Sequence, residues 1–237
     1  MLGAALVDVG GTLWPDRSTT SPPPEDAVRR LAAVLSGTDA GLLERLRAAL
    51  EEAVTAFALD LAQDTEGLVL DVAGRLGLPI TPPLAIAVRR AMIAPAAGLY
   101  GLFDGGEELL RAFRALGLRT VIVSNTYWRD AEAYRRDFEA LGVAGLIDGI
   151  VSSVDVGRRK PDPAMFLAGL ALAGCEAGEC VMIGNMEEKD VLPALSLGMR
   201  AMRVAPGAPS PPVSVAHASV TSLAAAAAVV REWAGRG

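Results

Sequence analysis

At 237 residues, with 51% hydrophobic and 21% charged residues, the chain can bury a sizeable core and is not a disordered tail. Its formal charge of −6 excludes a general nucleic-acid footprint, although Arg158, Arg159 and Lys160 form a short basic run. No apolar run reaches bilayer length, the leading apolar residues lack a charged leader and stop at Asp8, and Cys175 and Cys180 are too few for a disulfide framework; the expected setting is the reducing cytoplasm, with no membrane or nucleic-acid partner.

In chain order, the first predicted element is a strand at 4–7, which delivers Asp8 to the turn Gly10-Gly11-Thr12. A helical stretch without strands follows. Ser21-Pro22-Pro23-Pro24 reads as a stiff linker into a helix carrying Val28, Leu31, Ala32 and Leu35. A longer helix carries Leu42, Leu46, Ala49, Ala53, Phe57 and Leu61. Leu68, Val72 and Leu76 mark a third, and the segment after Pro82-Pro83 a fourth. The glycine-rich stretch 98–106 leads the chain back.

From there strands and helices alternate. A helix with Leu109, Leu110, Phe113 and Leu116 stops at Gly117 and precedes a strand at 120–123. Tyr134, Phe138 and Leu141 give the next helix, and 149–151 the next strand. Pro163 opens a helix with Phe166, Leu167 and Leu170 that closes at Gly174. Further strands are expected at 180–183, 201–204 and near 218–220. These runs are rich in Val and Ile with little alternation, as in strands covered on both faces. The pattern predicts an α/β fold with a doubly wound, Rossmann-like parallel sheet formed by residues 1–15 and 99–237, and an all-helical insert at 16–98.

In such sheets ligands sit beyond the carboxyl ends of the strands. The residues there are Asp8, Gly10, Gly11 and Thr12 after the first strand, then Ser124, Asn125 and Thr126 after the second. Lys160 lies past the third, and Gly184, Asn185 and Asp190 follow the fourth. A carboxylate, a hydroxyl, an ammonium and a carboxamide–carboxylate pair on one edge suit an anionic substrate and a covalent aspartyl intermediate. Asp supplies the nucleophile, Ser and backbone amides hold substrate oxygens, and Lys neutralises charge.

The stretches VDVGGTLW, VIVSN, GRRKPDPAMF and VMIGNMEEKD, in this order and spacing, resemble the four motifs of the haloacid dehalogenase-like hydrolases. The insert at 16–98 sits where that family's first-type cap domain is found. The resemblance implies a hydrolase, foremost a Mg²⁺-dependent phosphatase acting on a small phosphorylated metabolite through an aspartyl-phosphate at Asp8. It makes Lys160 catalytic and assigns Gly11, Thr12, Ser124, Asn125 and Lys160 to substrate binding. Mg²⁺ would be held by Asp8, the Gly10 carbonyl, Asn185 and Asp190.

Two departures stand out. The family's phosphatases carry a second Asp two residues after the nucleophile, which protonates the leaving oxygen and activates water; here that place is Gly10. Such acid–base help is typically worth about 10²- to 10⁴-fold. Asn185 stands where a metal-binding Asp is usual, which implies a weakened Mg²⁺ site. Two alternatives stay open on these grounds. One is a metal-independent 2-haloacid dehalogenase, whose halide leaves without a proton and whose carboxylate would need an Arg from the cap (Arg17, Arg29, Arg30, Arg45 and Arg47 are available). The other is a non-catalytic homologue that binds a phosphorylated ligand or a partner. Trp14, Tyr127 and Trp128 either line the site or pack in the core, Glu187, Glu188 and Lys189 read as an exposed first helical turn, and His217 reads as a surface residue.

Overall fold

A computed structural model describes residues 2–16, 24–58, 60–96, 99 and 101–235. The linker expected at 21–23, Arg17 and Gly98 lie outside them. The chain runs through β1 (Ala4–Val7), helices α1 (Pro24–Val34), α2 (Ala40–Ala53), α3 (Thr65–Arg75), α4 (Pro82–Ala91) and α5 (Gly106–Ala115), then β2 (Arg119–Ser124), α6 (Ala131–Ala140) and β3 (Gly149–Ser152). It continues with α7 (Ser153–Val156), α8 (Pro163–Ala173), β4 (Cys180–Gly184), α9 (Leu192–Ser196), β5 (Arg200–Val204), β6 (Ala218–Val220) and α10 (Leu223–Gly235). The strands form one parallel six-stranded sheet in the order β3-β2-β1-β4-β5-β6.

Alternation along β1 explains why both faces are apolar. Ala5 and Val7 face a cluster with Phe113, Phe138 and Val230 under α5, α6 and α10, whereas Ala4 and Leu6 face Met165, Phe166 and Met182 under α8 and α9. Gly169 permits the closest helix–sheet approach, because a Cβ there would stand 2.7 Å from Leu6 Cδ2. Val7 lies opposite Ile122 on one side and Ile183 on the other. That register brings the ends of β2, β1 and β4 to one level, and the Asp8 amide donates to the Ile183 carbonyl at 2.9 Å.

Helices α1 to α4 build a third apolar cluster, including Leu31, Leu43, Leu46, Leu50, Val69 and Val88, which is joined by Trp128 from the sheet domain. Here the expected helix faces shift by about one position. The buried stripe of α2 is Leu43, Leu46 and Leu50, not Leu42, Leu46 and Ala49, and that of α3 is Val69, Val72 and Ala73. The α2 helix also ends at Ala53 and gives way to a 3₁₀ turn (Val54–Ala58), leaving Leu61 exposed. In alanine- and leucine-rich helices two adjacent stripes are both apolar, and packing decides between them. Leu116 and Leu167 of the expected core faces are likewise exposed. Among the described residues no helix is long and apolar enough to cross a membrane.

The helical unit is held to the loop after β2 by buried charge. Arg89 bridges Glu66 (2.7 Å), the Trp128 carbonyl and Asp130 Oδ2 (2.7 Å), and Arg90 Nη2 reaches the same Asp130 oxygen at 2.8 Å. Asp130 Oδ1 meanwhile caps α6 by accepting from the Ala133 amide at 2.8 Å. Burial alone would raise the Asp130 carboxyl, but Arg89, the Ala133 amide and Arg90 outweigh it and hold it at about 2, against an ordinary value of 3.8. A depressed carboxyl stabilises the fold above its unfolded value and loses that contribution as pH falls through its folded one. Asp130→Asn is therefore expected to destabilise the protein by about 2 kcal/mol near neutrality. The gap between the two proteins should close as pH falls from about 4 towards about 2, as followed by urea unfolding. Parallel stability curves across that range would contradict the account.

Candidate active site

Asp8 leaves β1 and is met by three other strand ends. Its Oδ1 accepts from Lys160 Nζ at 2.7 Å, and its Oδ2 accepts from the Thr12 hydroxyl at 3.0 Å. Lys160, 3% exposed, also donates to Asp190 Oδ1 at 2.7 Å and to the Val123 carbonyl at 2.9 Å. All three protons of the ammonium are thus committed, and two carboxylates share one cation. Burial works against the Lys160 charge, yet Asp190 and Asp8 outweigh it and the ammonium titrates above its ordinary value. Burial pushes the Asp190 carboxyl up, opposed by Lys160 and reinforced by Asp8. Its second oxygen accepts from the Met186 amide at 2.9 Å.

The backbone explains how these groups are placed. Gly11 takes a positive φ of 75° in the turn after Asp8, and a Cβ there would fall 3.1 Å from Asn185 Cγ, so the Asn185 carboxamide lies directly over it. Gly184 gives Asp190 its room, since a Cβ would come within 2.6 Å of Asp190 Cβ. Residues Glu187–Val191 form a π-helical turn that carries Asp190 inward. Asn125 clamps Lys160 from both ends, donating to its carbonyl at 2.9 Å and accepting from its amide at 2.7 Å. The Ser124 hydroxyl pairs with the Tyr134 hydroxyl at 2.8 Å. Burial raises the Tyr134 phenol, which stays neutral and keeps its proton for such bonds.

A cavity of about 220 Å³ opens above Asp8. Of the expected residues, Asp8, Gly10, Ser124, Asn125, Lys160, Asn185 and Asp190 line it, whereas Gly11 and Thr12 are not among its lining residues. Thr12, fully buried, braces Asp8 from behind. Trp14, Tyr127 and Trp128 do both jobs left open for them: they line the cavity, while Trp14 packs against Phe138 with ring centroids 5.2 Å apart and Trp128 joins the helical cluster. Glu187 is not a freely solvated first-turn acid, because it accepts from Arg203 (3.2 Å), Ser214 (2.7 Å) and the Val215 amide (2.9 Å). His217 is exposed, its Nδ1 accepting from the Ala201 amide at 3.2 Å.

The cavity also holds residues that sequence reasoning passed over. Tyr134 reads as one apolar position of α6, and nothing local marks its hydroxyl. Asp16 lines the mouth, its Oδ1 3.7 Å from the point where a Cβ on Gly10 would stand. Arg159, 7% exposed, lines the wall beside Lys160. The basic run 158–160 was the available signal, but it does not say which cation turns inward. The described arginines named for gripping a carboxylate do not line the cavity; Arg29 pairs with Asp26, Arg47 with Glu44 and Glu51, and Arg30 donates to the Ala91 carbonyl. Among the described residues no cluster of three or more His, Cys, Asp or Glu is arranged to hold a metal ion.

Comparison with known proteins places this geometry in a family. The model of the haloacid dehalogenase-like hydrolases matches residues 2–198. A glyceraldehyde 3-phosphate phosphatase of Methanocaldococcus jannaschii is 26% identical over 211 residues, covering 87% of this chain and 86% of that protein. The haloacid dehalogenase-like hydrolase domain-containing protein 3 of Bos taurus is 29% identical over 154 residues, and the match covers 65% of this chain but only 57% of that protein's length. Among solved structures, a 2-haloacid dehalogenase from Pseudomonas syringae pv. Tomato DC3000 shares the fold with a TM-score of 0.62 at 20% identity, covering 98% of this chain and 100% of that one.

Removing one partner of a buried charge cluster leaves the others uncompensated, typically at a cost of about 3–5 kcal/mol. Lys160→Met should destabilise the fold by that order, and because both carboxylates would then favour protonation, the variant should regain stability as pH falls. Denaturant unfolding at neutral and mildly acidic pH checks both points, and an unchanged midpoint at neutrality would refute the role of Lys160 as the shared counter-ion.

Proposed function

This chain belongs to the haloacid dehalogenase-like hydrolases, and from that premise we propose that it is a phosphatase of small phosphorylated metabolites working through an aspartyl-phosphate at Asp8. The observation that carries the reading is the Asp8 carboxylate braced by Thr12 and Lys160 at the floor of a cavity that Ser124 also lines. Helices α1 to α4 act as the cap that closes over it and excludes water.

In the first half-reaction an Asp8 oxygen forms a bond to phosphorus while the ester P–O bond breaks. Ser124, aligned by Tyr134, donates to a phosphoryl oxygen, and the Lys160 ammonium stabilises the charge that gathers there. Asn125 and Asp190 are positioning residues, one fixing the Lys160 backbone and the other its ammonium. In the second half-reaction water attacks phosphorus, the bond to Asp8 breaks, and the free carboxylate and inorganic phosphate are restored.

The leaving alkoxide needs a proton and the attacking water must lose one. Gly10 has no group for this, and Asp190 is engaged with Lys160 and the Met186 amide. We assign both transfers to Asp16, whose carboxyl at the cavity mouth stands close to the space above Gly10. It gives its proton to the leaving oxygen and then takes one from water, so the protons balance over a cycle.

The donor set fits a hard divalent cation, because two carboxylates against one ammonium leave a net negative charge beside oxygens of Asp8, Gly10 and Asn185. Mg²⁺ held there by Asp8, the Gly10 carbonyl and the Asn185 carboxamide, with Asp190 behind, would neutralise phosphoryl charge when bound. One observation favours a second reading, metal-free halide displacement from 2-halo acids: the missing side chain at Gly10 is no handicap where the leaving group departs without a proton.

A screen of phosphate esters and 2-halo acids, run with Mg²⁺ and with chelator, separates these readings. The expected result is Mg²⁺-dependent phosphate release that Asp8→Asn abolishes; halide release under chelation would select the second reading, and release by Asp8→Asn would end the covalent mechanism. Asp16→Asn is expected to slow alkyl phosphates by about 10²-fold or more while slowing aryl phosphates, whose phenolates leave readily, far less. An equal loss on both would remove Asp16 from the proton transfer.

A further inference from the structure

Arg159 is a buried cation that meets no counter-ion among the described residues. It lies one residue before Lys160, is 7% exposed and lines the cavity. Its Nη1 donates to Gln63 Oε1 at 2.7 Å and to the Thr126 carbonyl at 3.0 Å, and its guanidinium lies over the Tyr127 ring, 4.8 Å from the centroid. These neutral contacts fix the orientation of the group and leave its charge unbalanced. Among the described residues no carboxylate pairs with it, in contrast to its neighbour Arg158, which meets Asp162 at 3.2 Å, and to Arg129, which lines the same cavity and is neutralised by Asp137 at 2.8 Å. Burial accordingly lowers the Arg159 guanidinium from its ordinary value, with only Tyr127 and Tyr134 opposing.

A guanidinium carries five N–H donors in a fixed fork. With both Nη1 protons engaged, the Nε and Nη2 edge keeps three, and neither nitrogen is a fully buried atom lacking a partner. That edge therefore has access to open space, in a residue that lines the cavity. It has the shape that accepts a carboxylate or phosphate through two parallel bonds. Burying an unpaired charge is costly, so a site that keeps one preoriented in the wall of the cavity that holds Asp8 is built for an anion that arrives with the ligand.

We propose that Arg159 is a second anion subsite, and that the substrates are small phosphate monoesters carrying a further anionic group, a carboxylate in the first instance, on the leaving-group side. The proposal rests on the phosphatase reading above and adds the substrate class. Ser124 holds the phosphoryl group under the charge of Lys160, and Arg159 in the wall of the same cavity takes the second anion. Selectivity for the doubly anionic ester then comes from the sheet domain's own loop, not from a cap arginine.

The test is calorimetric binding to the Asp8→Asn protein in Mg²⁺ buffer, so that no turnover is needed. The probes are 2-phosphoglycolate and 3-phosphoglycerate, each set against the uncharged carboxamide of the same length. With Arg159 present, at least one acid is expected to bind about tenfold or more tighter than its amide. Adding Arg159→Met should abolish that preference by weakening the acid far more than the amide, and Arg159→Lys should restore part of it. Gln63→Leu, which loosens the tether and keeps the guanidinium, should weaken the preference without abolishing it; thermal unfolding confirms that each variant is folded. Equal binding of acid and amide with Arg159 intact, a preference that survives Arg159→Met, or an equal loss on acid and amide (which would place Arg159 on the phosphoryl group) each overturns the assignment. Failure of all four esters to bind overturns the phosphatase reading beneath it, and with it the proposal.

Discussion

One ammonium holds the site together. Lys160 reaches in from the loop between α7 and α8, and its three protons meet a carboxylate at the end of β1, a carbonyl from β2 and a carboxylate from the turn after β4. Only a strand order that sets β2, β1 and β4 side by side allows one nitrogen to touch all three. The cluster is expensive to bury, and its geometry shows how the cost is contained: each carboxylate also accepts a second hydrogen bond, Asp8 from Thr12 and Asp190 from the Met186 amide. Lys160 cannot drift, because Asn125 grips its amide and its carbonyl together.

The loop after β2 is the joint between the two parts of the molecule. Ser124 and Asn125 line the cavity, Thr126 accepts from Arg159 and Gln63, and Trp128 and Asp130 receive the helical unit through Arg89. Ser152 and Ser153 pin the loop from β3 and α7 by donating to the carbonyls of Arg129 and Thr126. The seating of the helical unit is therefore tied directly to the wall of the cavity. Gln63, between α2 and α3, touches both Thr126 and Arg159, so the orientation of the free guanidinium edge depends on how that unit is seated.

Much of this was readable from residue order. The strands fall within one residue of their expected ends, because a strand buried on both faces is an apolar run bounded by the polar residues that begin the site. Asp8, Ser124, Lys160 and Asp190 stand out for the same reason, since each follows such a run at the same sheet edge, and the structure brings them to one cavity. What sequence did not reveal depends on contacts between distant segments. The burial of Arg159 is set by Gln63, 96 positions earlier, and nothing within the basic run distinguishes it from Arg158, which turns outward to Asp162. Tyr134 counts as one more apolar residue until the Ser124 hydroxyl is placed beside it. Asn125 reads as a substrate ligand, and only the coordinates show both ends of its carboxamide committed to Lys160.

The departures at Gly10 and Asn185 and the unpaired Arg159 have a common electrostatic consequence. A site with further carboxylates at both positions would be strongly negative and would depend on its metal to admit a phosphate dianion. Here the carboxylates of Asp8, Asp190 and Asp16 are set against Lys160, Arg159 and Lys189, with Arg129 already paired to Asp137, so the cavity approaches neutrality before any ion enters. Interactions between charges strengthen as the dielectric falls, and a closed, nearly neutral cavity can admit an anion that an acidic one repels. On the proposed reading the chain has moved its substrate recognition from metal-borne charge towards fixed guanidinium charge. It has also moved its proton carrier from the nucleophile's own turn to Asp16 at the cavity mouth, where the attacking water returns the proton that the leaving group took.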